Sequence, residues 1–149
     1  TDDHCVVVGA KNSVSGNSVM FTAGTGASNC AYGMLAIFAG KLTAAWVGDA
    51  YTPNQQVVEA GTTATGTDVV ASLRKVGTTL SLRKNGALAG SMTHGGGTFT
   101  PTASYIGAGY ASQNHNGHIS AVAIMKATVS DSDLALIEKF IGTLNGQTL

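Results

Sequence analysis

The chain has 149 residues, with eight acidic and eight basic side chains and a formal net charge of zero. Hydrophobic residues make up 44% and charged ones 11%, which excludes a disordered chain, because disorder needs low hydrophobicity and high charge. The neutral balance speaks against a nucleic-acid partner, since affinity for phosphates needs clustered Lys and Arg, and Arg74-Lys75 and Arg83-Lys84 are the only adjacent basic pairs.

A chain of this size reads as one domain, 1–149. No apolar run approaches the roughly 18 residues of a membrane-spanning helix, so no membrane insertion is expected. The chain opens at Thr1 and enters an apolar strand, His4–Val8, almost at once, as a C-terminal fragment of a longer protein would. Cys5 and Cys30 permit one disulfide; both are expected to be reduced, with Cys5 acting as a small buried hydrophobe. Asp2 and Asp3 read as solvent-exposed acids beside a strand histidine, His4. Further strands are predicted near Ser18–Thr22, Met34–Ala39, Leu42–Val47 and Gln56–Glu59. Segments rich in Gly, Asn and Thr separate them, near Asn12–Gly16, Gly24–Asn29, Asn54–Gln56 and Gly61–Gly66.

Asp68–Val76 is an apolar run followed by Gly77-Thr78, and then Leu80 and Leu82 alternate with Ser81 and Arg83. That period of two marks a half-buried strand. Asn85-Gly86 follows, the strongest short hairpin signal, because both central residues of a type I′ turn need positive φ. Two consecutive hairpins are therefore expected. Loops are predicted over Met92–Thr100, with its three consecutive glycines, and over Ala111–Asn116. Gly117–Lys126 is an almost wholly apolar strand. Ser130 and Asp133 then have capping-box spacing, opening a helix with Leu134, Ile137 and Ile141 on one face. Leu136 and Phe140 are expected to widen that face, with Glu138 and Lys139 outside. Strands at this density predict a two-sheet antiparallel sandwich closed by one helix.

Leu80–Gly86 resembles the strand-then-Asn-Gly hairpin of the concanavalin A-like (laminin-G-like) lectin and glucanase superfamily. Tyr105-Ile106-Gly107-Ala108 is similar to its following Ile-Gly strand, and Asn116-Gly117-His118-Ile119 to the start of its penultimate core strand. Ser130–Ile141 resembles its closing helix, so the likeness covers roughly residues 68 to 141. It implies an all-β, two-sheet jelly-roll sandwich with one short C-terminal helix. The Gly- and Ala-rich, charge-poor character is most similar to lectin-like domains of bacteriophage tail fibres and tailspikes. That likeness implies a virion-borne, receptor-binding homotrimer recognising a bacterial surface polysaccharide or lipopolysaccharide. Val57, Val58 and Met92 are candidates for lining a protomer contact.

The superfamily also contains glucanases, but retaining hydrolysis needs two carboxylates about 5–5.5 Å apart. The chain has two glutamates, Glu59 and Glu138, and no Glu-x-Asp-x-x-Glu pattern, so no enzyme is expected. Many superfamily members bind calcium, and Asp49 near Asn54 offers oxygens, yet the 6–8 that calcium takes do not assemble. No cofactor is predicted. Glycan recognition combines an aromatic platform with amide and carboxylate groups. One candidate segment carries Trp46, Asp49, Tyr51 and Asn54; another carries Tyr110, Asn114 and His115; His94 stands beside its glycines. A core position for Trp46 is at least as well supported as a place in the site.

Overall fold

The computed structural model describes residues 3–13, 16–24, 32–47, 56–93, 103–108 and 114–149. Ten strands and one helix follow in chain order. They are β1 (His4–Asn12), β2 (Ser18–Gly24), β3 (Tyr32–Phe38), β4 (Lys41–Val47) and β5 (Gln56–Val58). Then come β6 (Asp68–Val76), β7 (Thr79–Lys84), β8 (Ala87–Thr93), β9 (Ser104–Ile106), β10 (Gly117–Met125) and α1 (Asp131–Leu144). All strand pairs are antiparallel, in two five-stranded sheets ordered β10-β1-β6-β7-β8 and β5-β4-β3-β2-β9. The fold is the expected two-sheet jelly-roll sandwich with one C-terminal helix.

Side-chain parity explains how the layers stack. Val6, Val8 and Ala10 of β1, Val69, Ala71 and Leu73 of β6, and Leu80 and Leu82 of β7 point into the space between the sheets. They meet Met20, Phe21, Leu35, Ile37, Leu42, Ala44 and Trp46 from the other sheet. The opposite face of β1, with Cys5 and Val7, packs with Val70 against Leu134 and Ile141 of α1. Strand β1 is therefore apolar on both faces, which is why it lacks the alternation of a half-solvated strand.

Both predicted hairpins form. Leu73 pairs with Leu82, and Leu82 with Gly90. The turn at Asn85 (φ 49°) and Gly86 (φ 80°) has the positive angles that Asn-Gly favours. A third tight turn carries no such signature. Ala39 (φ 48°) and Gly40 (φ 74°) join β3 to β4, so Ala39 belongs to the turn rather than to the strand. Strand β8 reaches Thr93, so Met92 is a strand residue packed against the core rather than part of a loop.

Helix α1 lies across the outer face of the first sheet. Ser130 caps it as predicted, its hydroxyl accepting from the Asp133 amide at 3.1 Å. Its buried face differs from the expected one. Leu134 and Ile141 are buried, but so is Glu138, 2% exposed, while Leu136 and Phe140 are 67% and 65% exposed. The sheet under Glu138 presents polar partners. The Ser72 hydroxyl donates to Glu138 Oε1 at 2.6 Å, and Arg83 Nε approaches the same oxygen at 2.9 Å. A buried, bonded carboxylate thus takes the place assigned to Phe140.

At the far end of the helix, Asn145 ties three strands together. Its amide nitrogen donates to the carbonyls of Ala10 and Val69, and its Oδ1 lies 2.6 Å from the Ser120 hydroxyl. Gly9 permits this approach: a Cβ there would stand 2.8 Å from Ile141 Cγ2 and 2.8 Å from Ser120 Oγ.

Candidate functional site

Of the residues proposed to contact a glycan, Trp46, Asn114 and His115 fall among the described residues; Asp49, Tyr51, Asn54, His94 and Tyr110 lie outside them. Trp46 follows Leu42 and Ala44 on the inward face of β4 and is 1% exposed. Its ring packs on His4, with centroids 4.6 Å apart and planes inclined by 39°. It is a core side chain and offers no stacking face to solvent. The signal was in the sequence, because Leu42, Ala44 and Trp46 share one strand parity.

Strand register locates the roots of the candidate loops. Val47 at the end of β4 pairs with Tyr32 at the start of β3, and Tyr32 with Gly24 at the end of β2. Gln56, where β5 begins, pairs with Ala45, and Ser104, where β9 begins, pairs with Ala23. Thr93, which precedes His94, pairs with Thr79 close to the Lys75–His4 pair, and His4 touches Trp46. The roots of segments 25–31, 48–55 and 94–102 therefore share one end of the sandwich.

The segment containing Tyr110 is rooted at the other end. Ile106 pairs with Phe21, the Gly107 amide donates to the Met20 carbonyl, and His115 sits against Ser18. The two segments proposed to build a glycan site thus depart from opposite ends of the sandwich. Of the second group, Asn114 and His115 are described, and His115 lies at this end, against Ser18. Asn114 is exposed.

His115 acts as a fastener. Ser18 Oγ accepts from the Asn116 amide at 3.4 Å and lies 2.8 Å from His115 Nδ1. Nε2 faces the His118 carbonyl at 3.3 Å, which can only accept, so in the neutral ring Nε2 carries the proton and the Ser18 hydroxyl donates to Nδ1. The His115 amide also donates to the Gly107 carbonyl, closing the base of the connection between β9 and β10. Burial lowers the His115 pKa below its usual value, only partly offset by hydrogen bonds to the His118 and Lys11 backbone. Ser18 is fully buried, so this Ser–His contact cannot reach a substrate. Nothing in the sequence pointed to Ser18, 97 residues away.

Several other charged groups are committed to structure. Glu59 is buried, and burial alone would raise its pKa. Hydrogen bonds from the Leu42 amide, the Thr63 hydroxyl and Lys84 Nζ outweigh that and hold it low. Glu138 is held by Arg83 and Ser72, and Arg74 pairs with Asp131 at 2.6 Å. Arg74, Arg83 and Lys84 therefore serve as anchors, with Arg74 opposite Ser81 and Lys84 opposite Ala71 in the ladder.

Asp3 is buried rather than solvent-exposed. It accepts from the Thr128 hydroxyl and the Gly77 amide, which lower its pKa. Cys5 is a free, buried thiol whose pKa burial pushes up to about 12, and Cys30 lies outside the described residues. Among the described residues no three His, Cys, Asp or Glu side chains come together in a way that would hold a metal ion. No helix among them is long and apolar enough to cross a membrane.

No protein-family model matches the sequence, and no curated protein matches it. Solved structures share its fold. The sialidase carbohydrate-binding module of Ruminococcus gnavus, bound to α2,3-sialyllactose, superposes with a TM-score of 0.73 at 14% identity. It covers 92% of this chain and 83% of its own. Domain 4 of an extracellular arabinanase from Geobacillus stearothermophilus, in complex with arabinotriose, gives 0.68 at 13% identity, covering 92% of this chain and 66% of that one. The native heptameric SAP-like pentraxin of Limulus polyphemus gives 0.68 at 14% identity, covering 94% and 70%. At these identities the likeness defines a class of fold, the concanavalin A-like sandwich.

Proposed function

We propose that the chain is a non-catalytic carbohydrate-binding domain acting outside the cell, and that it binds glycan at the end of the sandwich where β4 ends and β9 begins. The observation that carries the reading is the convergence of three connection roots at that end, on a scaffold shared with a sialyllactose-bound module. Rigid scaffolds commonly place recognition on such connections. Tyr51 supplies the aromatic surface in this reading, with Asp49, Asn54 and His94 as hydroxyl partners. An accessory module of a secreted bacterial glycosidase fits best, since two of the structural neighbours belong to a sialidase and an arabinanase.

A second reading rests on the charge-poor composition, 11% charged residues. It presents the same domain as a homotrimer on a phage tail fibre or tailspike, with bacterial polysaccharide or lipopolysaccharide as receptor.

The test is binding of the labelled domain to an array of sialylated, arabinan and bacterial surface glycans, and to intact cells. Binding to soluble glycan should fall at least tenfold in Tyr51→Ala and persist in Tyr110→Ala. Selective binding to intact bacteria, lost when lipopolysaccharide is stripped, would favour the fibre reading. A folded domain that binds no glycan at about 1 mM, where a site worth about 4 kcal/mol is half filled, sinks both.

A further inference from the structure

We propose that the rim formed by β10 and α1 is a self-association surface, on which a second copy of this chain docks about a twofold axis. Among the described residues β10 pairs with β1 alone, so it is a free sheet edge. From Ile119 to Met125 it carries no charge and no proline, the usual means by which edges resist pairing. Between this strand and α1 runs a groove of about 510 Å³, lined by Ala121, Val122 and Ala123 on one side and by Leu136, Phe140 and Leu144 on the other. The lining is apolar throughout, unlike a sugar site.

The apolar surface is sized for a protein interface. Leu136, Phe140 and Leu144 are each more than half exposed. Together they leave on the order of 400 Å² of apolar surface in water, about half of the roughly 800 Å² per partner of a standard interface. Leu88, the other strongly exposed leucine, stands on β8 at the opposite rim and has no comparable company.

Geometry selects a second copy over a single peptide. The ladder between β1 and β10 shifts between Gly9 and Ala10 and leaves Ser120 out of register, so Ala121–Met125 is the straight part of the edge. Antiparallel self-pairing centred on Ala123 sets Ala121 against Met125 and Lys126 against Ser120, so no like charges meet. Both grooves then fall at the twofold axis. Each helix lies over its own β1, three strand spacings from its mate, which is about 14 Å. That spacing exceeds the roughly 8–10 Å of directly packed helices, so the long side chains of Leu136 and Phe140 reach toward their mates across the paired strands. A lone extended peptide would satisfy the strand edge but leave Phe140 and Leu136 in water.

Sedimentation equilibrium from about 1 to 200 µM, a range that brackets typical weak homodimers, tests the proposal. The expected result is a monomer–dimer equilibrium. The Phe140→Glu and Leu136→Glu variants should each raise its dissociation constant at least tenfold, and Leu88→Glu should leave it unchanged. Both target side chains are exposed, and thermal melts matching the parent will confirm that the variants fold. In the dimer, amide exchange at Ala121–Met125 should slow as concentration rises. A monomer throughout, a trimer, or a dimer indifferent to Phe140→Glu would each overturn the proposal, whatever the loops bind.

Discussion

Glu138 shows how one side chain can reverse the reading of a helix. Helical spacing alone makes Leu136 and Phe140 neighbours of the apolar face, and a glutamate between them reads as solvated. The carboxylate is buried because Arg83 and Ser72 lie beneath it, and a buried charge needs such partners. Glu138→Ala should lower stability by about 3 kcal/mol in urea unfolding, with the slope unchanged. The paired change Glu138→Leu with Arg83→Met should cost less than either change alone, because it leaves no unpaired charge.

His115 makes a second prediction at the scale of a residue. Its folded pKa is lowered by burial, so the native state binds fewer protons than the unfolded chain. Its contribution to stability is fully present above the unfolded value of about 6.5 and is lost as pH falls through the lowered folded value. Proton NMR titration should place the ring below 6.5, and Nδ1 protonation should reverse the Ser18 hydrogen bond, so that the hydroxyl accepts. A midpoint at or above 6.5 would contradict this.

At the scale of elements, α1 is held by shape as much as by apolar contact. Gly9 lies within β1, beneath the C-terminal half of the helix. A methyl group there would meet Ile141 and Ser120 at 2.8 Å, so Gly9→Ala should cost about 1–3 kcal/mol as an overpacked site. The loss should be local. Hydrogen exchange should quicken first at Ile141–Asn145, where Asn145 fastens the helix to β1 and β6. Uniform acceleration across both sheets would show that the helix end is not the weak point. Gly9 reads in the sequence only as an interruption of an apolar run; its role depends on an element 132 residues further along.

For the molecule as a whole, the two ends of the sandwich are fastened by carboxylates. Glu59 joins the start of β4 to Thr63 and Lys84. Asp3 joins the β6–β7 turn to Thr128. Both have lowered folded pKa values, so both stabilise the fold above their ordinary values of 4.5 and 3.8. Both contributions disappear as pH falls through the lower folded values. Thermal melts from pH 7 to pH 2 should show a plateau and then a drop below about pH 4. Glu59→Gln should flatten that drop, and an unchanged profile would refute the assignment. The same scale governs recognition, because connections 48–55 and 109–113 are rooted at opposite ends of the sandwich.

Much of the architecture was legible locally. The period of two in β7, the positive angles demanded by Asn85-Gly86 and the Ser130 cap depend on residues near in sequence, so the sequence by itself determined hairpins, helix start and fold class. Trp46 was legible in principle through its parity with Leu42 and Ala44. Other features depend on contacts between distant elements and left no periodic trace. Burial of Glu138 came from Ser72 and Arg83, Asp3 was claimed by Gly77 and Thr128, and Ser18 met His115. The separation of the candidate loops was likewise decided by strand register, which sets the end of the sandwich at which each connection emerges. Local chemistry names the elements; only their packing decides which faces are buried, which ends coincide and which edge is left open to a partner.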